Sequence, residues 1–295
     1  MKNVDNPGRS AGECGQLYIC ATPIGNLGDM TPRAVEVLRT VDLIAAEDTR
    51  NSIKLLNHFE IHTPMTSYHE FNRFEKAEEL VQKMLDGASV AIITDAGTPC
   101  ISDPGEVLVQ KCWEAGVPVT SLPGPSAVIT ALTLCGFSVR RFVFEGFLPP
   151  KKKKKERAAA LARLRGETGT IVLYEAPHHL KETLGELAET LGSGRRIALC
   201  REMTKKHEEV IRTTLGEAQA LEPRGEYVLV LEGMSEEEAQ QAAQEETEAA
   251  LAGRSIAEQV QAYVEAGMDR KEAMRLAAKE RGISRRDVYR ALLEK

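Results

Sequence analysis

The chain has 295 residues, 42% of them hydrophobic, enough for two globular cores and a small third, and no apolar run approaches the ~20 residues that cross a bilayer. A formal net charge of −6 excludes a uniformly basic nucleic-acid binder and leaves local basic patches open. Six scattered cysteines, with no CxxC and no His/Cys cluster at zinc spacing, fit a reducing cytoplasm and exclude a zinc module.

Residues 1–15 are polar and rich in Gly, Asn and Ser, and they read as a flexible tail without the apolar stretch of a signal peptide. Strand–helix alternation starts at 16. An apolar run over 17–21 ends at Thr22-Pro23. Thr31 and Pro32 look like an N-cap with proline at the first helical position, and Ala34, Val35 and Leu38 follow on one helical face. A near-continuous apolar strand over 41–46 runs into Glu47-Asp48-Thr49-Arg50. A helix over 76–86 stops at Gly87, and a strand over 90–94 leads into Asp95-Ala96-Gly97-Thr98-Pro99. A helix over 105–115 is closed by Gly116, and a strand over 117–122 ends at Pro123-Gly124-Pro125-Ser126. Apolar strands separated by helices predict an N-terminal α/β domain over 16–144 with a largely parallel sheet.

A second α/β domain is expected over 145–233, with strands at 170–174, 197–200 and 227–231 and a helix at 180–191. Its first residues, Gly146-Phe147-Leu148-Pro149-Pro150 and then Lys151, Lys152, Lys153, Lys154 and Lys155, read as a hinge and an exposed loop. The stretch 140–165 carries a net charge of +8. Residues 234–252 turn acidic and Ala/Gln-rich, as a linker would. A small helical domain over 253–295 follows. Ile256, Val260 and Val264 share one helical face, and Met274, Leu276 and Ala277 lie on a second helix that ends at Gly282. Ser284 precedes Asp287 at capping-box spacing, so the unit resembles a helix-turn-helix.

In open α/β sheets, ligands bind beyond the carboxyl ends of the strands. Four loop-forming segments occupy such ends here: 22–28, 47–50, 95–105 and 123–126. Gly25 and Gly28 make no GxGxxG, and GxxxxGK[ST], HExxH and GxSxG are absent. Dinucleotide, P-loop, zinc-protease and α/β-hydrolase chemistry therefore find no support. Spacing and composition leave an α/β protein with a loop-built site and a basic segment, and name no cofactor.

The segments Thr22-Pro23-Ile24-Gly25-Asn26-Leu27-Gly28-Asp29, Ala46-Glu47-Asp48-Thr49-Arg50 and Gly97-Thr98-Pro99-Cys100-Ile101-Ser102-Asp103-Pro104-Gly105 resemble the tetrapyrrole-methylase superfamily, and more closely its ribosomal RNA branch. Leu122-Pro123-Gly124-Pro125-Ser126, Glu145-Gly146-Phe147-Leu148-Pro149, Tyr174-Glu175-Ala176 and Arg201-Glu202-Met203-Thr204-Lys205 extend the likeness over about 16–233. The resemblance implies a class III methyltransferase fold: two α/β domains with S-adenosylmethionine in the cleft between them, plus a small helical domain. It implies 2′-O-methylation of a cytidine ribose in 16S ribosomal RNA, with the RNA or the 30S particle as partner. It also implies a homodimer, in the cytoplasm and away from membranes.

On that resemblance, Thr98, Pro99, Ile101 and Ser102 line the cofactor, Ser126 and Ala127 offer it hydrogen bonds, and Tyr174 packs near the adenine. No metal is expected. A ribose hydroxyl is a weak nucleophile until a base draws on its proton. Asp48 and Glu47 are the first candidates for that base, with Asp29 behind them. Asn26 and Arg50 are candidates for holding a phosphate or the ribose. The five lysines and Arg157 would neutralise RNA phosphates. Plainer readings stand beside these: a surface ion pair of Asp48 with Arg50, a helix-start role for Asp29, a solvated lysine loop. Two rival functions are a tetrapyrrole or diphthamide-type methylase of the same fold and a DNA-binding regulator, which would leave the first 233 residues without a purpose.

Overall fold

The computed structural model describes residues 14–235, 237–239, 241 and 255–293. Five short runs, β1 (Leu17–Cys20), β2 (Leu43–Ala46), β3 (Met65–Ser67), β4 (Val90–Ile93) and β5 (Val119–Leu122), pair in the order β3-β2-β4-β1-β5. Every pairing is parallel. Helices α1 (Pro32–Thr40) and α2 (Thr49–His58) cover one face, where Leu38 and Leu56 pack with Ile44 and Ile93. Helices α3 (Arg73–Leu85) and α4 (Glu106–Glu114) cover the other, where Leu80, Met84 and Leu108 pack with Leu17, Ala45 and Ile92. Burial on both faces is why the central β2 and β4 read as unbroken apolar runs rather than alternating ones. Helix α1 starts as its sequence predicts: the Ala34 N–H donates to Thr31 Oγ1 at 3.2 Å, with Pro32 at the first position.

The second sheet is mixed, in the order β6-β7-β10-β8-β9. It comprises β6 (Phe142–Phe147), β7 (Thr170–Glu175), β8 (Arg196–Arg201), β9 (Glu209–Thr214) and β10 (Tyr227–Leu231), with only β6 and β7 parallel. Helix α5 (Ala127–Cys135) leaves the end of β5 and packs on this second sheet, with Val128, Ala131 and Leu132 against Val172, Ala198 and Val230. Helices α6 (Lys154–Arg165) and α7 (Leu180–Leu191) and the single turn α8 (Leu215–Ala218) cover its opposite face. Both sheets belong to one unit that runs to Glu232 apart from Gly166–Thr168.

Two expectations need correction. Gly146 and Phe147 are not hinge residues. They belong to β6, which bulges between Phe144 and Gly146, with Gly146 at φ +66°. The lysine run is not a loop either: Lys151–Lys153 form a 3-10 turn and Lys154 opens α6. Lysine is a good helix former, and the helix is anchored by Arg157, which is buried. Its guanidinium donates to Glu186 at 2.8 Å, to Thr183 Oγ1 at 3.0 Å and to the Pro149 carbonyl at 2.9 Å. Arg157 therefore serves the fold and is not available to RNA.

In the C-terminal unit, α9 (Ile256–Glu265), α10 (Arg270–Glu280) and α11 (Arg285–Leu293) enclose a small core of Val260, Ala273, Ala277 and Val288. Ser255 and Glu258 form a capping box, and Ser284 and Asp287 exchange reciprocal backbone bonds at 3.2 Å. These caps supply the first-turn N–H groups with acceptors. The tail residues 1–13 and most of the acidic stretch 234–252 lie outside the described residues. Gly15 is tied down, donating to the Met84 carbonyl at 2.7 Å. Among the described residues, no helix is long and apolar enough to cross a membrane, no group of His, Cys, Asp and Glu could hold a metal ion, and the six cysteines are unpaired.

Candidate active site

The loops after β1 and β4 are pinned to each other. Thr22 and Gly97 exchange backbone hydrogen bonds of 2.8 and 3.0 Å, and the buried Thr22 hydroxyl donates to the Thr94 carbonyl at 3.0 Å. The loop after β1 also meets the loop after β8. A Cβ on Gly25 would lie 2.5 Å from Lys205 Cγ, so only glycine allows this approach. Together with the ends of β2, β5, β7 and β10 these loops enclose a cavity of about 360 Å³ between the two sheets. That size suits a small-molecule ligand.

The cavity is strongly acidic. Glu47, Asp95, Asp103, Glu175, Glu202 and Glu226 line it, against one cation, Lys205. The ammonium of Lys205 is already committed, at 3.0 Å from Glu202 and 2.8 Å from Glu226. Glu175 is also occupied: it accepts from the Ala176 N–H at 2.8 Å and from the Thr183 hydroxyl. Glu47, Asp95 and Asp103 remain as a cluster of like charge. Thr94 Oγ1 donates to Glu47 Oε2 at 2.6 Å, and the Asp95 N–H approaches the same oxygen at 3.4 Å. Burial pushes the Asp103 carboxyl up to about 6, helped by the Glu47 and Asp95 charges and opposed by a hydrogen bond with Thr94. The Thr94 hydroxyl has one proton to give, so it can donate to only one of the two carboxylates.

One wall of the cavity is apolar. Tyr174 sits edge-on to Phe144 at 4.9 Å and tilted against Phe147 at 5.4 Å, with Ile24 and Ile101 also in the lining. Burial pushes the Tyr174 phenol up to about 12, so it stays a neutral donor at neutral pH. Backbone strain concentrates at this site. Of the five non-glycine residues with positive φ among the described residues, Cys100, Ser102, Glu202 and Thr204 sit in the two loops that face the cavity. Such strain persists only where the surroundings enforce it, and it marks functional loops.

The sequence-derived residues divide cleanly. Glu47, Thr98, Ile101, Ser102, Ser126, Ala127 and Tyr174 line the cavity. Thr98 Oγ1 donates to the Pro125 carbonyl at 2.9 Å and so joins the loops after β4 and β5. Pro99 is buried and is not in the lining. Asp48 is outside it too. Asp48 caps α2, accepting from the Arg50 N–H at 2.8 Å, and pairs with the Arg50 guanidinium at 2.7 Å. Hydrogen bonds from the Arg50 side chain and backbone hold its carboxyl down at about 2, which makes it a poor base. Asp29 is exposed in the 3-10 turn Leu27–Asp29, again outside the cavity. Asn26 lines a neighbouring groove, and Arg50 is turned out, with 88% of its side chain exposed. Lys151 pairs with Glu182, and Lys153 with Glu156 at 2.9 Å.

Sequence reasoning missed Asp103, Asp95 and Glu226; it offers Glu202 and Lys205 only as a pair on one loop, solvated in the plainer reading, and Glu226 joins that pair in the cavity lining. Asp103 lies inside the most distinctive motif of the chain. Its role depends on Glu47, which only the parallel pairing of β2 and β4 brings near.

Residues 16–219 match the family model described as Tetrapyrrole (Corrin/Porphyrin) Methylases. The chain is 45% identical over 284 residues to ribosomal RNA small subunit methyltransferase I of Synechocystis sp., covering 95% of this chain and 98% of that protein. It is 44% identical over 283 residues to the protein of the same name in Bacillus subtilis, covering 95% and 94%. The fold also resembles that of uroporphyrin-III C-methyltransferase from Thermus thermophilus complexed with S-adenosylhomocysteine. There the TM-score is 0.52 at 16% identity, covering 74% of this chain and 92% of that one. With a family model matched over 16–219 and relatives 44–45% identical along 95% of its length, the chain belongs to the tetrapyrrole methylase family, among the relatives named ribosomal RNA small subunit methyltransferase I.

Proposed function

We propose that this chain is an S-adenosylmethionine-dependent methyltransferase that modifies the 2′-hydroxyl of a cytidine in 16S ribosomal RNA, acting in the cytoplasm as a homodimer on the RNA or the 30S particle. The observation that carries the proposal is the acidic cavity with an aromatic wall at the strand ends, in a chain 45% identical to a ribosomal RNA small subunit methyltransferase I. The residues fit the cofactor. Unpaired carboxylates suit a sulfonium cation, and Tyr174, Phe147 and Ile101 suit a purine face. The backbone at Thr98 and Ala127 offers groups to a ribose and a carboxylate. Bound there, S-adenosylmethionine supplies an electrophilic methyl group, and the protein supplies alignment and electrostatics.

The protein's own chemistry lies in handling the proton of the acceptor hydroxyl. Of the three carboxylates proposed from sequence, Glu47 alone faces the cavity, and Asp103 takes the place of Asp48 and Asp29 as its partner. A carboxyl near 6 is charged at neutral pH and more basic than an ordinary aspartate, which suits a general base. Glu47, which accepts from Thr94 at 2.6 Å, adds a like charge beside Asp103 that favours its taking up a proton. The cations at the start of α6 meet RNA phosphates outside the cavity.

Tritiated-methyl transfer onto purified small subunits and naked ribosomal RNA, followed by nuclease mapping, tests the proposal. A substrate carrying 2′-deoxycytidine at the mapped position should accept no methyl group, because the 2′-hydroxyl is what separates RNA from DNA there. Equal methylation of the deoxy substrate would make the acceptor a base atom.

A further inference from the structure

We infer that the groove between the first loop and α2 is the acceptor-nucleotide subsite, built to hold a single-stranded pyrimidine nucleotide beside the cavity. The inference rests on the reading that the acceptor is RNA. The groove encloses about 410 Å³, with Asn26 and Leu27 on one side and Asn51, Lys54 and His58 on the other. Asp95 lines both the groove and the cavity, so the two share a wall.

Charge explains why the nucleotide needs a separate place. A phosphodiester entering a cavity with six carboxylates and one committed lysine meets like charge in a low-dielectric site. Helix α2 has the opposite character. Between Thr49 and His58 it carries no acidic residue, and Asn51, Lys54 and His58 fall at i, i+3 and i+7, on one face. All three are exposed. Arg50, one turn before Lys54, is engaged by Asp48, whereas Lys54 makes no ion pair among the described residues. A backbone phosphate therefore finds the Lys54 ammonium on α2, while its ribose can face Asp95 and the carboxylates behind it.

Two amides are fixed in ways that suit a base edge. Asn51 Nδ2 donates to Asp95 Oδ2 at 3.0 Å, and because a carboxylate can only accept, the Asn51 oxygen is left as a free acceptor. Asn26 Oδ1 accepts the Gly28 N–H at 3.0 Å, which leaves its Nδ2 as a free donor. One oriented acceptor and one oriented donor match the amino group and the ring nitrogen or O2 of cytosine, an edge that only an unpaired base presents. Leu27, 45% exposed, gives the base an apolar surface to lie against.

The test uses the full chain with Lys54→Ala and Asn51→Ala, each checked for unchanged thermal unfolding. Lys54→Ala should raise the KM for small subunits at least fivefold and reduce the slope of log affinity against log salt by about 0.7. Asn51→Ala should weaken competition by oligocytidylate at least fivefold and competition by oligoadenylate less than twofold. S-adenosylmethionine affinity by calorimetry should stay within twofold in both. Wild-type KM, slope and competition in the folded variants would overturn the inference. So would lost binding to assembled subunits with intact binding to naked ribosomal RNA, since the groove would then dock a ribosomal protein. Variants that bind RNA poorly while the wild type methylates a base atom would keep the groove and refute the ribose chemistry alone.

Discussion

Replacing Asp103 by asparagine removes a charge that folding has to bury, and the consequence has a definite sign. In the unfolded chain the carboxyl titrates at its ordinary 3.8, and in the fold at about 6. Below pH 4 it is protonated in both states and contributes nothing to the difference between wild type and variant. As pH rises from 4 to 6 the unfolded chain loses the proton first, so wild-type stability falls through that window and levels off above 6. At 1.36 kcal/mol per unit the full shift is worth about 3 kcal/mol. Solvent reaching part of the side chain screens it, and we take about half, ~1–2 kcal/mol. Asp103→Asn should match the wild type in denaturant unfolding at pH 4 and exceed it by that amount at pH 7.5. The same variant should lose methyl transfer by roughly 10²–10⁴-fold, the usual worth of a positioned base. The groups facing Asp103 simplify the assignment. Tyr174 and Cys100 are pushed up to about 12 and about 11, so neither changes charge near pH 6. A stability difference independent of pH, or a variant less stable at pH 7.5, would refute the argument that this carboxylate is penalised by its surroundings.

Glu47→Gln keeps the Thr94 hydrogen bond and removes a like charge. It should move the acid limb of the wild-type rate profile from near pH 6 downward by on the order of one unit, read from single-turnover methylation between pH 5 and 8. Ser102→Trp places bulk in a positive-φ lining residue of the cavity. It should abolish S-adenosylmethionine binding in calorimetry while the protein still unfolds cooperatively; unchanged affinity would put the cofactor elsewhere. Changing all five residues Lys151–Lys155 to Ala should flatten the RNA salt slope. Two of the five hold internal ion pairs, so the loss should be nearer three contacts, roughly 2 units of slope at about 0.7 each.

What the sequence makes legible here is what local pattern controls. The runs that became β1, β2, β4, β7 and β10 are apolar because they are covered on both faces, and the loops at the ends of several of them could be read as a site. Edge strands were harder. Strand β9, Glu-Val-Ile-Arg-Thr-Thr, alternates between half-buried and exposed residues and carries no unbroken apolar run. Helix α2 was hidden because its cap, Asp48, looked like a catalytic group. The same residue and spacing serve both readings, and only the Arg50 contact separates them. The lysine run looked like a loop because charge was weighed above helix propensity. Asp103 could not be graded at all from sequence, since its elevation comes from burial and from Glu47, on a different loop, as well as from Asp95 on its own.

The separation of charge between cavity and groove has a further consequence for the proposed reaction. In the proposed reaction Asp103 would start as a carboxylate and end holding the hydroxyl proton, and S-adenosylmethionine, held in the cavity, would supply the methyl group and with it give up its positive charge. The positive charge and the carboxylate charge disappear together, so the cavity carries the same net charge at both ends of the reaction. Opposite charges that cancel as bonds rearrange are helped by a poorly solvated site, because little solvation is lost. The same cavity would hold the cationic cofactor more tightly than its neutral product, which favours exchange after each turnover. In the inferred subsite the phosphates of the acceptor would stay with Lys54 on the far side of Asp95, where they do not spoil that balance. A cavity of mixed charge would have served binding equally well. The concentration of carboxylates at the strand ends and of cations on α2 is what a cationic methyl donor and a polyanionic acceptor jointly demand.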